Sequence, residues 1–451
     1  MTDYCRRHIH DLPAETLLSI FAFLDSQQLS KSVVSVCRRW HRISQENKIW
    51  RTLVIDLDRL CKLDRIRLES FGNLVRLHAC IIKTISIGNN YSFSKQLSIT
   101  PFDAGSEWEV VLPNFIRTII PVRFDNTLSI NFFNCCSLSL NFVDILTERC
   151  PHVDKVLINR CRTITNECLH IIGQRWCDTL TDISIFYCSQ INSIGVSRLL
   201  DNGPIDSYHN RQIRHLKIIE CAVSNSMFTG IISTVYSNLI EVSLTCVSLR
   251  DDAVKSITSA AQNLHSLTLF FCGRLTDCSL VYISALSKLE ELSLSNWEHF
   301  TLMGWYEFFS TPTLQASLRR LKLNGWKKFD NSSAIGIAQN LIGLEVLNLD
   351  WCSCVNEDAF EAIWQSLHNL RVLSLRANTC LTSTFISYYP DSLPKLTSLD
   401  LGSCSVSDDE LYRFALARRK ANCRSGLEVV CYSRFSKCRK IVYLDDLLHH
   451  W

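Results

Sequence analysis

The sequence predicts an α/β fold: a three-helix module at the N-terminus, then a curved solenoid of stacked strand–turn–helix units with parallel strands on the concave side and helices on the convex side. Three observations carry this. A short apolar template ending in Cys or a substitute recurs ten times between Val153 and Cys404. Residues 9–50 have helical apolar spacing and none of that template. The composition, 47 % apolar and 20 % charged with 9 Pro and 14 Gly among 451 residues, excludes a disordered or collagen-like chain and a small disulfide scaffold.

The first module opens at Asp11-Leu12-Pro13-Ala14-Glu15. Asp11 can accept backbone N–H bonds at a helix start, and Pro13 suits the first turn. Leu17, Leu18, Ile20, Phe21 and Leu24 continue one apolar face. A second helix is expected from Ser30 to His41 through Val33, Val36, Cys37 and Trp40, and a short third element closes at Ile49 and Trp50. So small a module buries little of its own surface, so an exposed apolar strip on it invites a partner.

Residues 51–152 read as degenerate repeats. Leu53, Ile55 and Leu57 alternate like a strand, and Ile82, Ile85 and Ile87, then Leu128, Ile130 and Phe133, look like weakened copies of the unit. Around 91–121 Ser, Asn, Gly and Pro accumulate without the template, which predicts an irregular insertion.

The clear repeats span 153–410. Their first positions are Val153, Leu180, Ile213, Leu239, Leu264, Leu289, Leu318, Leu344, Leu370 and Leu396, at intervals of 25 to 33 residues. Apolar residues follow at the fourth and sixth positions, on one side of a short strand, and helical spacing follows the turn. A unit of this size cannot bury its apolar face alone, so successive units must stack. The ninth position is Cys in six units (Cys161, Cys188, Cys221, Cys272, Cys352, Cys404), with Val247, Trp297, Trp326 and Asn378 in the rest. A small side chain packing inward, with a weak thiol donor for the turn, explains these cysteines. A structural zinc site, which draws its ligands from closely spaced pairs, does not fit cysteines recurring once per repeat. No metal and no cofactor are expected.

The third, fifth and seventh template positions point away from the core, and the eighth begins the turn beside them. This places Phe186, Tyr187, Lys217, Phe270, Phe271, Arg320, Lys322, Asp350, Trp351 and Arg376 on the concave surface. Aromatic and Arg side chains are enriched among binding hot spots, which makes Phe186, Tyr187, Phe270, Phe271, Arg320, Lys322, Trp351 and Arg376 candidate substrate contacts. Phe270, Phe271 and Trp351 lie near the middle of the array. Residues 411–451 form a C-terminal cap with a basic segment. Nine basic residues and one acid, Glu428, fall between Leu411 and Lys440. A solvated basic face of a capping unit accounts for them, with docking of an acidic or phosphorylated partner as the alternative.

The balance of 47 Lys+Arg against 44 Asp+Glu names no ligand, and nucleic acid is not expected. No stretch approaches the roughly 18 apolar residues of a membrane span, and Met1–Leu17 is too charged for a signal core. The chain therefore reads as soluble and intracellular, where 22 cysteines remain thiols. The phosphate-loop, zinc-helix and nucleophile-elbow motifs are absent. An open solenoid surface also disfavours a water-excluding catalytic pocket. No catalytic residue is assigned.

Two resemblances follow from these residues. The template resembles the cysteine-containing leucine-rich repeat. Leu12-Pro13, Glu15, Leu17-Leu18, Ile20-Phe21, Phe23-Leu24, Leu29, Val33, Val36-Cys37-Arg38, Trp40 and Trp50 resemble an F-box. Together they resemble the substrate receptors of Skp-cullin-F-box ubiquitin ligases. The resemblance implies a non-catalytic subunit, cytoplasmic or nuclear, that binds a Skp-type adaptor and through it a cullin. It implies that Leu12, Pro13, Ile20, Leu24 and Trp40 contribute to the adaptor-facing surface, with some of them holding the module's own helices instead. Ubiquitin transfer to the bound protein substrate would be the work of other subunits. The alternative is a repeat scaffold or inhibitor that binds a protein partner without driving ubiquitination.

Overall fold

The computed structural model describes residues 9, 12–22, 24, 26–60, 65–88, 123–136, 138–200, 212–230, 233–295, 299–325, 329–352, 355, 357–379, 381, 393–404, 406, 413–414, 416, 418, 428–432 and 439–443. The chain divides into two compact units, Met1–Val223 and Ser224–Trp451. The expected insertion at 91–121, Asp11, Trp297 and Trp326 lie outside the described residues.

The first unit opens with helix α1, Ala14–Phe21, in which Leu17 and Phe21 stand one turn apart and are buried. Pro13 occupies the cap position with no side-chain cap bond. The expected second helix is not continuous. Ser26–Gln28 (α2) runs into a π-helical turn at Leu29–Val33, and α3 starts afresh at Arg38–Ser44. The break has a local cause: Cys37 is fully extended, and its sulfur accepts the Trp40 N–H at 3.5 Å as the cap of α3. Leu17, Phe21, Leu29, Val33 and Ile43 form the module's core, against which Leu12, Leu18, Leu24, Trp40 and Ile49 pack.

The closing element is a 3-10 turn at Ile49–Arg51, as the sequence predicts. It buries Trp50, whose Nε1 donates to the Ser44 carbonyl at 2.7 Å and whose ring stacks on His78 at 4.6 Å. The Ser26 hydroxyl accepts the Val54 N–H at 3.2 Å, tying the module to the first strand.

Strands β1 (Thr52–Asp56), β2 (Thr84–Gly88), β3 (Ser129–Phe133), β4 (Lys155–Asn159), β5 (Asp182–Phe186) and β6 (His215–Ile219) pair in parallel and in sequence order, with Leu53, Ile85, Ile130, Val156, Ile183 and Leu216 in register. Helices Leu140–Arg149, Asn166–Arg175 and Ser193–Leu200 follow β3, β4 and β5. Parallel pairing therefore begins well before Val153. In β3 the inward residues are Ile130 and Phe132, whereas Leu128 is exposed and Phe133 half-buried, which corrects the expected apolar set by the strict alternation of the pleat.

In the second unit β7 (Glu241–Thr245), β8 (Ser266–Phe270), β9 (Glu291–Ser295), β10 (Arg320–Asn324), β11 (Val346–Asn348), β12 (Val372–Ser374), β13 (Ser398–Asp400) and β14 (Glu428–Tyr432) again pair in parallel, and β15 (Arg439–Tyr443) closes antiparallel on β14. The fold is thus an α/β leucine-rich-repeat solenoid preceded by helices. In the repeat from Leu264, Leu264, Leu267 and Leu269 are buried. Each such side chain contributes about 2 kcal/mol by area burial, an upper estimate.

Two features recur along both units. The eighth template position is left-handed at Asn134, Arg160, Tyr187, Glu220, Phe271, Gly325, Trp351, Ala377 and Ser403, with φ between 50° and 72°. Its N–H continues the ladder past the strand end, as Trp351 N–H to the Arg376 carbonyl at 2.9 Å shows, and the left-handed turn then sends the ninth side chain inward. There the side chain donates to the sixth-position carbonyl of the preceding repeat: Cys352 to Leu323 at 3.5 Å, Cys404 to Leu375 at 3.0 Å, and the Asn378 amide to Leu349 at 2.9 Å.

The repeat from Leu239 departs from this. Val247, at its ninth position, is 69 % exposed, and Cys246 takes the inward place at 2 %. The eighth-position left-handed residue is missing, so the turn is one residue shorter. At the C-terminal end, the basic face is interrupted: Arg413 is exposed, but Arg418 is buried and donates to the Leu393 carbonyl at 3.1 Å. The other basic residues of that segment before Glu428, Arg419, Lys420 and Arg424, are outside the described set.

Candidate functional site

On the N-terminal module, geometry divides the five predicted adaptor residues. Leu12, Leu24 and Trp40 are half-buried against the module's core, Trp40 edge-on to Phe21 at 5.1 Å, while the Arg39 guanidinium donates to the Leu12 carbonyl at 2.6 Å. Pro13 and Ile20 are exposed. Val36 and Ile9 are exposed as well, and the sequence spacing, which placed Val36 on a continuous helix, gave no sign of this. Among the described residues of the module, Ile9, Pro13, Ile20 and Val36 are therefore apolar side chains that remain available to a partner.

On the sheet face turned away from the helices, the aromatic residues fall where the template puts them. Tyr187 is 52 % exposed, Phe271 49 % and Trp351 60 %, all three at the left-handed eighth position. Phe186 and Phe270, one residue earlier, are half-buried. A bulky side chain at positive φ is held at an energetic cost. In the first unit Phe186 and Tyr187 adjoin on β5, and the Arg160 guanidinium lies over the Tyr187 ring at 5.4 Å. In the second unit the Trp351 N–H is bonded to the carbonyl of Arg376, just past the end of β12.

The cations are placed differently from the aromatics. Arg320 Nε donates to Glu291 at 3.0 Å, and Lys322 Nζ donates to the other oxygen of the same carboxylate at 2.6 Å. Burial pushes the Glu291 carboxyl up, but the bonds and charges of Lys322 and Arg320 outweigh it and hold it below the usual carboxylate range. Both cations are thus already matched within the fold. Asp350 is similarly occupied, accepting from the Ser374 hydroxyl at 2.6 Å, the Asn348 amide at 3.1 Å and the Arg376 N–H at 2.9 Å.

Two polar residues at the seventh position were missed by a search for aromatics and charges. Asn159 on β4 and Asn324 on β10 each keep a buried side-chain oxygen without a partner among the described residues. An unsatisfied acceptor of this kind gains when a partner brings a donor.

Three of the ninth-position thiols are held protonated by their surroundings. Burial pushes Cys188 and Cys272 up to about 12 and Cys404 up to about 11. Among the described residues no group of three or more His, Cys, Asp or Glu is arranged to hold a metal ion, and no helix is long and apolar enough to cross a membrane.

Residues 9–56 match the family model described as F-box-like. The chain is similar in fold to a chain of the crystal structure of the Rad7 and Elc1 complex in yeast, with a TM-score of 0.54 and 16 % identity, covering 87 % of this chain and 94 % of that one. At that identity the likeness speaks to the fold, and it agrees with the stacked units built above. The chain carries an F-box-like domain at its N-terminus followed by a leucine-rich-repeat array.

Proposed function

We propose that this chain is the substrate-recognition subunit of an SCF-type E3 ubiquitin ligase. The F-box-like domain docks a Skp-type adaptor, and through it a cullin, while the repeats hold a protein target. The observation that carries the reading is the F-box-like match over residues 9–56, on a module whose Pro13, Ile20 and Val36 are exposed while its core is complete without them. The chain's own contribution is proximity: it holds a target near a loaded conjugating enzyme, and it needs no catalytic residue for this. It acts in the cytoplasm, the nucleus or both.

The target side of the reading rests on Phe186, Tyr187, Phe270, Phe271 and Trp351, with Arg376 beside Trp351. Arg320 and Lys322 support it less directly, because a target must compete with Glu291 for them.

Co-purification of the full chain with a recombinant Skp-type adaptor tests the first half. Ile20→Glu combined with Pro13→Ala is expected to weaken the complex by more than about tenfold, as loss of an interface anchor does. Unchanged binding, or no complex with the wild type, sinks the reading. A chain that holds a target stably but binds no adaptor is the scaffold or inhibitor instead. Comparing targets recovered under proteasome inhibition by the wild type and by Phe270, Phe271 and Trp351 variants tests the second half.

A further inference from the structure

The strand rim of the first unit holds an arrangement that the repeat itself does not require. Arg51, Lys83 and Leu128 occupy the second template position before β1, β2 and β3. They are joined edge to edge by Lys83 N–H to the Arg51 carbonyl at 2.8 Å and Leu128 N–H to the Lys83 carbonyl at 2.9 Å. Arg51 and Lys83 are exposed, and among the described residues neither side chain has an acidic partner. Like charges side by side on neighbouring strands repel.

Several cations elsewhere on the sheet are matched across strands. Lys155 meets Asp182 at 3.5 Å, Arg371 meets Glu345 at 3.7 Å, and Arg320 and Lys322 share Glu291. Arg51 and Lys83 instead border an open cavity of about 440 Å³, of a size that takes a small ligand. Its wall adds the amides of Asn47 and Asn126 and the apolar side chains of Ile81 and Leu128. Asn126 is fixed by its Nδ2 donating to the Cys80 carbonyl at 2.6 Å. Among the described residues the one carboxylate on the wall, Asp125, is paired with Arg123 at 3.3 Å.

We propose that this cavity, beside the last turn of the F-box-like domain, binds a phosphate monoester. A dianion matches two cations where a carboxylate would leave one unmatched. The Arg51 guanidinium offers forked donors to two phosphate oxygens, and the Lys83 ammonium acts as a point charge on the third. The Asn47 amide supplies a neutral donor, and Ile81 and Leu128 face the carbon skeleton. The monoester is either a free small molecule or a phosphorylated side chain of a bound protein. The site is independent of the ligase reading and stands or falls without it.

The test uses the full chain at constant ionic strength, with phosphoserine, a phosphoserine-containing peptide and its unphosphorylated form as probes and sodium sulfate as the ionic control. Two quantities are read: the thermal midpoint, and the iodoacetamide labelling rate of Cys80, an exposed thiol on the cavity wall, against that of the exposed Cys278. Binding raises the midpoint saturably and slows Cys80 severalfold while Cys278 is unchanged. Lys83→Glu removes both effects yet leaves the ligand-free midpoint unchanged or raised, because it supplies the cross-strand partner that Arg51 lacks. Arg51→Gln, a gentler variant, weakens both effects. A response to free phosphoserine assigns the small-molecule source, and a response to the phosphopeptide alone assigns the protein source. The proposal is overturned if neither phosphorylated probe acts saturably, if sulfate or the unphosphorylated peptide acts equally, or if the Lys83→Glu protein responds like the wild type.

Discussion

An inward ninth-position thiol serves as a joint of this fold, and its chemistry follows from its place. Cys188 and Cys272, pushed up by burial to about 12, stay protonated at neutral pH. Iodoacetamide at pH 7.5, read by peptide mass spectrometry, is expected to label the exposed Cys37 and Cys278 long before either of them. Comparable rates would show that the repeats open locally. The left-handed eighth position gives a second expectation. Trp351→Asn places a residue that tolerates positive φ where a bulky ring stands, so stability is expected to stay within about 0.5 kcal/mol of the wild type or to rise, while target binding falls. A large loss in a denaturant midpoint would make Trp351 a packing residue. Glu291 supplies a pH signature. Its folded-state value lies below the unfolded one, so its contribution is present above the ordinary carboxylate range and is lost as pH falls through the lowered value. With partners this exposed it amounts to at most about 1 kcal/mol, and Glu291→Gln is expected to flatten the acid limb of a stability–pH curve by that much.

At the scale of elements, successive helices are stitched at their starts. The Asp251 carboxylate accepts the Thr276 N–H at 2.9 Å and its hydroxyl at 2.7 Å, and Asp277 does the same for Thr301 at 2.8 and 2.6 Å. Gly304, in helix Leu302–Phe309, permits this: a methyl group there would run into the Asp277 carboxylate. Gly304→Ala is accordingly expected to destabilise by about 1–3 kcal/mol, read as a lowered denaturant midpoint. The strands were legible because the fourth and sixth positions are apolar in nearly every unit. The helix break at Cys37 was not, because Val33, Val36, Cys37 and Trp40 keep helical spacing across it and only backbone geometry reveals the cap. The shortened turn at Cys246 was hidden for a related reason: Cys246 and Val247 are both apolar, and the template alone gave no ground to move the inward place back by one. The left-handed position carries no residue signature at all, being Arg160, Glu220 and Trp351 as readily as Asn134 or Gly325.

Across the whole molecule, the division into a helical module and a repeat array was visible in periodicity alone, and the F-box-like match places the module at residues 9–56. Which module residues face outward was not visible, since Leu12 and Leu24 are as apolar as Ile20, and only packing around Leu17 and Phe21 separates them. A parallel stack has no intrinsic end, because every strand leaves the same row of donors and acceptors for the next. Among the described residues the last strand, β15, turns back on β14, with Tyr443 opposite Glu428 and Arg439 opposite Tyr432. Cutting the chain after Asp400 should leave a sticky lateral template, so that light scattering reports concentration-dependent oligomers in place of monomers. The reversed final strand thus breaks the parallel series, and a chain shorn of β14 and β15 would offer the bare parallel edge of β13 to a second copy.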